Sequence, residues 1–151
     1  MQCVKWAHGG RFGSLELQAE TVVSQYLISI VDDDEPFREA MTSLMKSLGF
    51  EVEAFSSGED FLASPRREST SCLIADVHMP SMTGIELQRQ LVASGRPIPV
   101  ILITAYPDDN VRARALAAGV ICYLSKTFDD DALLGFVRSA LVQADLGEAR
   151  S

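Results

Sequence analysis

The stretch ISIVDDDEPFREAM, residues 28–41, decides how the rest of the chain is read. An unbroken apolar and β-branched run up to Val31 stops at four acidic residues, Asp32, Asp33, Asp34 and Glu35. Pro36 follows, and then Phe37, Met41, Leu44, Met45 and Leu48 recur three and four apart. A short continuous apolar run suits a strand buried on both faces, and a period near 3.6 suits an amphipathic helix laid over it. Gly49 stands where a helix C-cap belongs. The unit is a buried strand, an acidic strand end and a covering helix, the opening of a βαβ crossover.

The alternation continues to the end of the chain. It predicts strands at 26–31, 51–55, 72–75, 100–104 and 122–124, and helices at 37–48, 58–62, 84–92, 108–118 and 129–144. Ile28, Ile30, Val31, Leu73, Ile74, Ile101, Leu102 and Ile103 are the expected core. Right-handed crossovers then give an α/β fold, a doubly wound five-stranded parallel sheet of order 2-1-3-4-5, flavodoxin-like (βα)5, whose ligands bind beyond the carboxyl ends of the strands. Residues 25–146 are assigned to this domain. Residues 1–24, with Gly9, Gly10 and Gly13 and no regular period, read as an N-terminal extension that need not be ordered, and 147–151 as a C-terminal tail.

Composition narrows the function. Over 151 residues, 13 Lys and Arg against 21 Asp and Glu leave a formal net charge of −8, which argues against direct binding to nucleic acid or an anionic membrane. No apolar run approaches the roughly 20 residues of a membrane span, so a cytoplasmic location is expected. Cys3, Cys72 and Cys122 make no metal-ligand spacing. The last two sit in apolar runs and read as core fillers.

The expected strand order sets the acidic end of the first strand beside Asp76 at the end of the third, and neighbouring strands are about 4.8 Å apart. Carboxylates so close repel one another unless a cation neutralises them. An all-oxygen donor set of Asp32, Asp33 and Asp76 favours a hard ion, Mg²⁺ first. Asp34 and Glu35, beside Pro36, fit the capping of the first helix instead. Thr104 ends the fourth strand with a hydroxyl, and Lys126 follows the fifth with a fixed cation. A carboxylate, a metal, a hydroxyl and an ammonium are the equipment for holding a transferring phosphoryl group.

With CLIADVHMPSMTGIEL (72–87), VILITAY (100–106) and CYLSKTFDDDALL (122–134) in order behind the opening stretch, the chain resembles the response-regulator receiver domain of two-component signalling. VDDDEP (31–36) and GEDFL (58–62) look most like the receivers of the nitrogen-fixation and nitrate-response regulators. The resemblance implies that Asp76 is the phosphoacceptor and that Asp32, Asp33, Asp76 and the backbone carbonyl of His78 hold Mg²⁺. It implies that Thr104 and Lys126 engage the phosphoryl group, and that Thr104 and Tyr123 form a switch with the Tyr123 ring turning inward. It further implies a sensor histidine kinase or histidine phosphotransfer protein as donor and a downstream protein target. The output surface would be the fourth helix, fifth strand and fifth helix, open to homodimer formation, and the only chemistry would be the domain's own phosphorylation and dephosphorylation. Two other functions compete: a receiver-like interaction module that is not phosphorylated, and an aspartate-dependent phosphohydrolase using Asp32.

One residue departs from the pattern. The family usually carries a cis-proline after the lysine, where this chain has Thr127, so the bond is expected to be trans or strained, with slower phosphorylation or a looser loop. His78 and Tyr106 are expected to border the phosphoryl group and shield it from water.

Overall fold

The computed structural model describes residues 26–150, with side chains to position 145. The extension expected at 1–24 and the side chains of the tail expected at 147–151 lie outside the described residues. Five strands, β1 (Leu27–Val31), β2 (Glu51–Phe55), β3 (Cys72–Asp76), β4 (Val100–Thr104) and β5 (Cys122–Ser125), form one parallel sheet in the order β2-β1-β3-β4-β5. The helices are α1 (Glu35–Ser47), α2 (Gly58–Leu62), α3 (Gly84–Ala93), α4 (Asp109–Ala117) and α5 (Asp130–Arg150), with a 3₁₀ turn at Arg67–Ser69 that the sequence pattern did not signal.

Because side chains alternate across a strand, each strand feeds two cores. On one face Val31, Leu73, Ala75 and Leu102 pack with Phe61, Leu87, Leu91, Ala115 and Tyr123 under α2, α3 and α4. On the other, Ile28, Ile30, Ile74, Ile101 and Ile103 pack with Met41 and Met45 of α1 and Leu133, Val137, Ala140 and Leu141 of α5. All eight residues expected in the core are buried, each aliphatic side chain contributing roughly 1.5–3 kcal/mol. Cys72 and Cys122 are buried with them, and burial pushes the Cys72 thiol up to about 12, so it is packing and not a nucleophile.

The differences from the expected boundaries are local. β3 and β5 each run one residue further, and β1 starts at Leu27 instead of Tyr26. The last helix continues to Arg150 where its pattern stopped at Ala144, because a helical backbone can run on after the apolar period that marks its buried face has ended. Gly49 and Gly119 adopt φ of 95° and 105° just beyond α1 and α4, the left-handed conformation that ends a helix most cheaply at glycine. Among the described residues no helix is long and apolar enough to cross a membrane.

Candidate functional site

The register brings the acidic strand ends together. Val31 pairs with Ala75 and Asp76 with Ile103, so Asp32 and Asp76 emerge side by side at the carboxyl edge of the sheet. Carboxylate oxygens of Asp32, Asp33 and Asp76 lie within 4.8 Å of one another. Asp32 is 2% exposed and Asp76 6%, whereas Asp33 faces solvent.

The backbone around these groups is tightly held. Asp32 donates its N–H to the Phe55 carbonyl (3.0 Å), and Arg38 of α1 donates through Nη1 to the Asp32 carbonyl (2.6 Å). After Asp76, Val77 N donates to Ile103 O and Gly84 N to Val77 O, folding the 77–84 loop back on the strand. Gly84 makes this possible. A Cβ there would lie 2.5 Å from the Asp76 carbonyl oxygen and 2.8 Å from Leu102 Cδ2, so only glycine lets α3 start so close to the site. Thr83 and Glu86 close that helix with a reciprocal capping box.

Lys126 supplies the cation. Its backbone N–H donates to the Thr104 carbonyl at 2.7 Å. Its ammonium lies 3.0 Å from Asp32 Oδ2, 3.8 Å from Asp34 Oδ2 and 3.9 Å from Asp76 Oδ2. The lysine therefore leans on Asp32 before Asp76. Asp34 departs from its expected role. It occupies the N-cap position of α1, but its side chain makes no capping hydrogen bond and faces Lys126, while its own N–H donates to Asp32 Oδ1 at 2.8 Å. Attraction to a half-buried ammonium outweighs a cap that solvent can replace.

Electrostatics mark the cluster as short of positive charge. Burial, and then the charge of Asp32, push the Asp76 carboxyl up to about 6, against the opposing pull of Lys126 and a backbone hydrogen bond from His78. Burial also raises Asp32, despite its bonds to Asp34 N and Lys126. Partial burial works against the Lys126 ammonium, but Asp32, Asp76 and Asp34 together hold it above its ordinary value. Three carboxylates and one ammonium leave net negative charge in a poorly solvated place. The residues fit a hard divalent ion: three oxygen donors converge, and the exposed side at Asp33 leaves room for the waters that Mg²⁺ retains.

Thr104 is fully buried one position beyond Ile103, the partner of Asp76, and its hydroxyl accepts from Tyr106 N at 3.0 Å. Tyr123 is already turned in: it is 6% exposed, and its hydroxyl accepts from Asp108 N at 3.1 Å, tying β5 to the start of α4. His78 and Tyr106 meet edge to face with centroids 6.1 Å apart, and Tyr106 is 74% exposed, so the pair stands at the rim. The Lys126–Thr127 bond is trans, as are all peptide bonds among the described residues. Hydroxyls of Ser125 and Thr127 lie 2.9 Å apart, and Thr127 N donates to Ser125 Oγ at 3.3 Å. Gly84 and Phe37 escaped the sequence reading. The only signal for Gly84 was a glycine directly after the threonine of a Thr-x-x-Glu cap, and Phe37 was absorbed into the helical period.

A five-stranded 2-1-3-4-5 sheet with a carboxylate cluster and a lysine at its carboxyl edge defines the class. The chain belongs to the response regulator receiver domain family, whose sequence pattern matches residues 28–138. Receivers of this kind are signalling modules of two-component systems and not classical enzymes. The chain is 43% identical over 115 residues to the response regulator protein TodT of Pseudomonas putida, covering 76% of this chain and 51% of TodT. It is 34% identical over 118 residues to the transcriptional regulatory protein FixJ of Bradyrhizobium diazoefficiens, covering 78% of this chain and 58% of FixJ, in keeping with the regulator group its opening motif resembles. Among solved structures, the response regulator StyR superposes with a TM-score of 0.76 at 41% identity, over 83% of this chain and 64% of StyR. The chain thus spans about half the length of the curated relatives it matches.

Proposed function

We propose that Asp76 is the phosphoacceptor of this receiver, taking a phosphoryl group from a phosphohistidine on a sensor histidine kinase or histidine phosphotransfer protein. The observation that carries the reading is the convergence of Asp32, Asp33, Asp76 and Lys126 from three strand ends on one point. An Asp76 carboxylate oxygen attacks phosphorus in line, a P–O bond forms, the P–N bond breaks, and its electron pair leaves with the imidazole. Asp32, Asp33, Asp76 and the His78 carbonyl would hold Mg²⁺. When bound, the ion supplies charge neutralisation to the carboxylates and the phosphoryl oxygens.

The chain's own residues do the rest. Lys126 sits 3.9 Å from Asp76 and has only to shift its weight from Asp32 to meet the incoming oxygens. Thr104 offers its hydroxyl hydrogen, since its oxygen already accepts from Tyr106 N. A phosphoryl group adds close to two negative charges, drawing both inward. Through the 104–108 loop that movement reaches the hydroxyl of Tyr123 on Asp108 N, and so the α4-β5-α5 face, which we assign to a downstream protein target or to a second copy. The setting is cytoplasmic, with no direct contact to nucleic acid or membrane.

The test is incubation with Mg²⁺ and a small phosphodonor, followed by location of any adduct retained in acid and lost in base. An adduct at Asp76 is expected. An adduct at Asp32 with continuing phosphate release would favour a phosphohydrolase, and no adduct an unphosphorylated interaction module. Both oxygens of Asp32 are engaged, Oδ2 by Lys126 at 3.0 Å and Oδ1 by Asp34 N at 2.8 Å, which argues against its serving as a nucleophile.

A further inference from the structure

Besides its three carboxylate neighbours, the ammonium of Lys126 meets an aromatic face: Nζ stands 4.4 Å from the centroid of the Phe37 ring. Phe37 lies in the first turn of α1, a different element from the loop that carries the lysine. Its ring is braced in turn by Phe128, edge to face at 6.3 Å and 79°, and Phe128 N donates to Ser125 O at 3.1 Å. The two aromatic residues therefore join the α1 start to the loop after β5, in contact with the lysine through Phe37. Both are partly buried against the α1 and α5 core.

From this we infer that Phe37 is a positioning residue for phosphoryl transfer, its π face holding the Lys126 ammonium poised between Asp32 and Asp76. The inference rests on the reading of Asp76 as phosphoacceptor. A lysine side chain has many rotamers and a strongly hydrated head, and tethering its backbone to Thr104 O does not fix where the head goes. A ring face attracts the ammonium through its quadrupole without neutralising it and without offering a proton acceptor. Lys126 thus keeps full charge and stays inside the site, its side chain only 15% exposed, yet is not committed wholly to Asp32. The ring takes up none of the ammonium's N–H donors in a strong hydrogen bond, so they remain available to phosphoryl oxygens at Asp76, 3.9 Å away. An aliphatic residue of similar bulk at position 37 would fill the space but supply no such attraction.

The test compares Phe37→Leu, which keeps apolar bulk, with Phe37→Tyr, which keeps the ring. In the unsubstituted protein without Mg²⁺ or phosphodonor, ring current should shift the Lys126 ε-methylene proton resonances upfield. That shift should survive in Phe37→Tyr and vanish in Phe37→Leu. Phosphorylation by a small phosphodonor at saturating Mg²⁺ should slow about fivefold in Phe37→Leu and stay within about twofold in Phe37→Tyr, with Mg²⁺ affinity changed less than about twofold in both. Absence of the upfield shift in the unsubstituted protein overturns the inference, and that measurement needs no variant to fold. Equal slowing in both variants, which would indicate packing alone, or no slowing in Phe37→Leu, overturns it too. Failure of the phosphoacceptor reading shows differently, as a missing adduct at Asp76 in the unsubstituted protein with the shift intact.

Discussion

The two ends of the sheet are built from the same strands and treat charge in opposite ways. At the amino edge, a cavity of about 780 Å³ opens between the 67–71, 94–99 and 118–121 segments, and its ion pair, Arg96 with Glu68 at 3.7 Å, is mostly exposed to water. Two neutral polar groups buried near there satisfy each other, the hydroxyls of Ser29 and Thr70 meeting at 2.7 Å. At the carboxyl edge, the buried Asp32 and Asp76 and the exposed Asp34 share one lysine, with Asp33 beside them. A fold can neutralise its charges anywhere. Under-compensated buried charge marks a place where something else can bind, and this cavity by itself would have drawn attention to the opposite end.

The contrast can be broken most severely at Asp76. Asp76→Asn should abolish phosphorylation while stabilising the Mg²⁺-free fold by about 1–2 kcal/mol, because it removes a buried like charge. Mass analysis after phosphodonor treatment and thermal unfolding check the two halves. An unchanged or lower Tm would mean that Lys126 fully compensates the carboxylate.

Glycine substitutions at the two ends should differ next. Gly84→Ala drives a Cβ into the Asp76 carbonyl and Leu102, and should cost about 2–3 kcal/mol and slow phosphorylation by displacing the loop. Gly95→Ala meets no atom within 4 Å and bears only the strain of its φ of 81°. It should cost about 1 kcal/mol and leave phosphorylation as it was. Urea unfolding of both variants measures the pair, and equal costs would remove the distinction between the ends.

A pH titration of stability sharpens the same point. The folded Asp76 carboxyl titrates at about 6 and its ordinary value is 3.8, so between these pH values the folded state keeps a proton that the unfolded chain has released. Without Mg²⁺, this group's contribution to stability should therefore decline as pH rises from 4 to 6 and level off above that. Asp76→Asn should remove that component, seen in urea midpoints across the range. The smallest effect is expected at Thr127→Val, which loses one exposed hydroxyl contact to Ser125, worth about 0.5 kcal/mol, and keeps the backbone N–H that also reaches Ser125. A loss of several kcal/mol would show that the Thr127 hydroxyl, and not the backbone and aromatic contacts, secures the lysine loop.

What the sequence by itself determined is the sheet and the address of the site. Runs such as Ile101 to Ile103 have nowhere to go but between two helix layers, and acidic residues that interrupt such runs can only stand at strand ends, so Asp32, Asp33 and Asp76 were legible together. The tertiary structure decided which partner each charge takes. Lys126 rests on Asp32, Asp34 turns from helix cap to lysine neighbour, Phe37 becomes a seat, and Tyr123 is already inward. Those outcomes depend on distances of 3 to 4.4 Å between residues far apart in the chain. Periodicity places a residue on a face, but electrostatic and quadrupolar attractions are settled by tenths of an ångström that only packing sets.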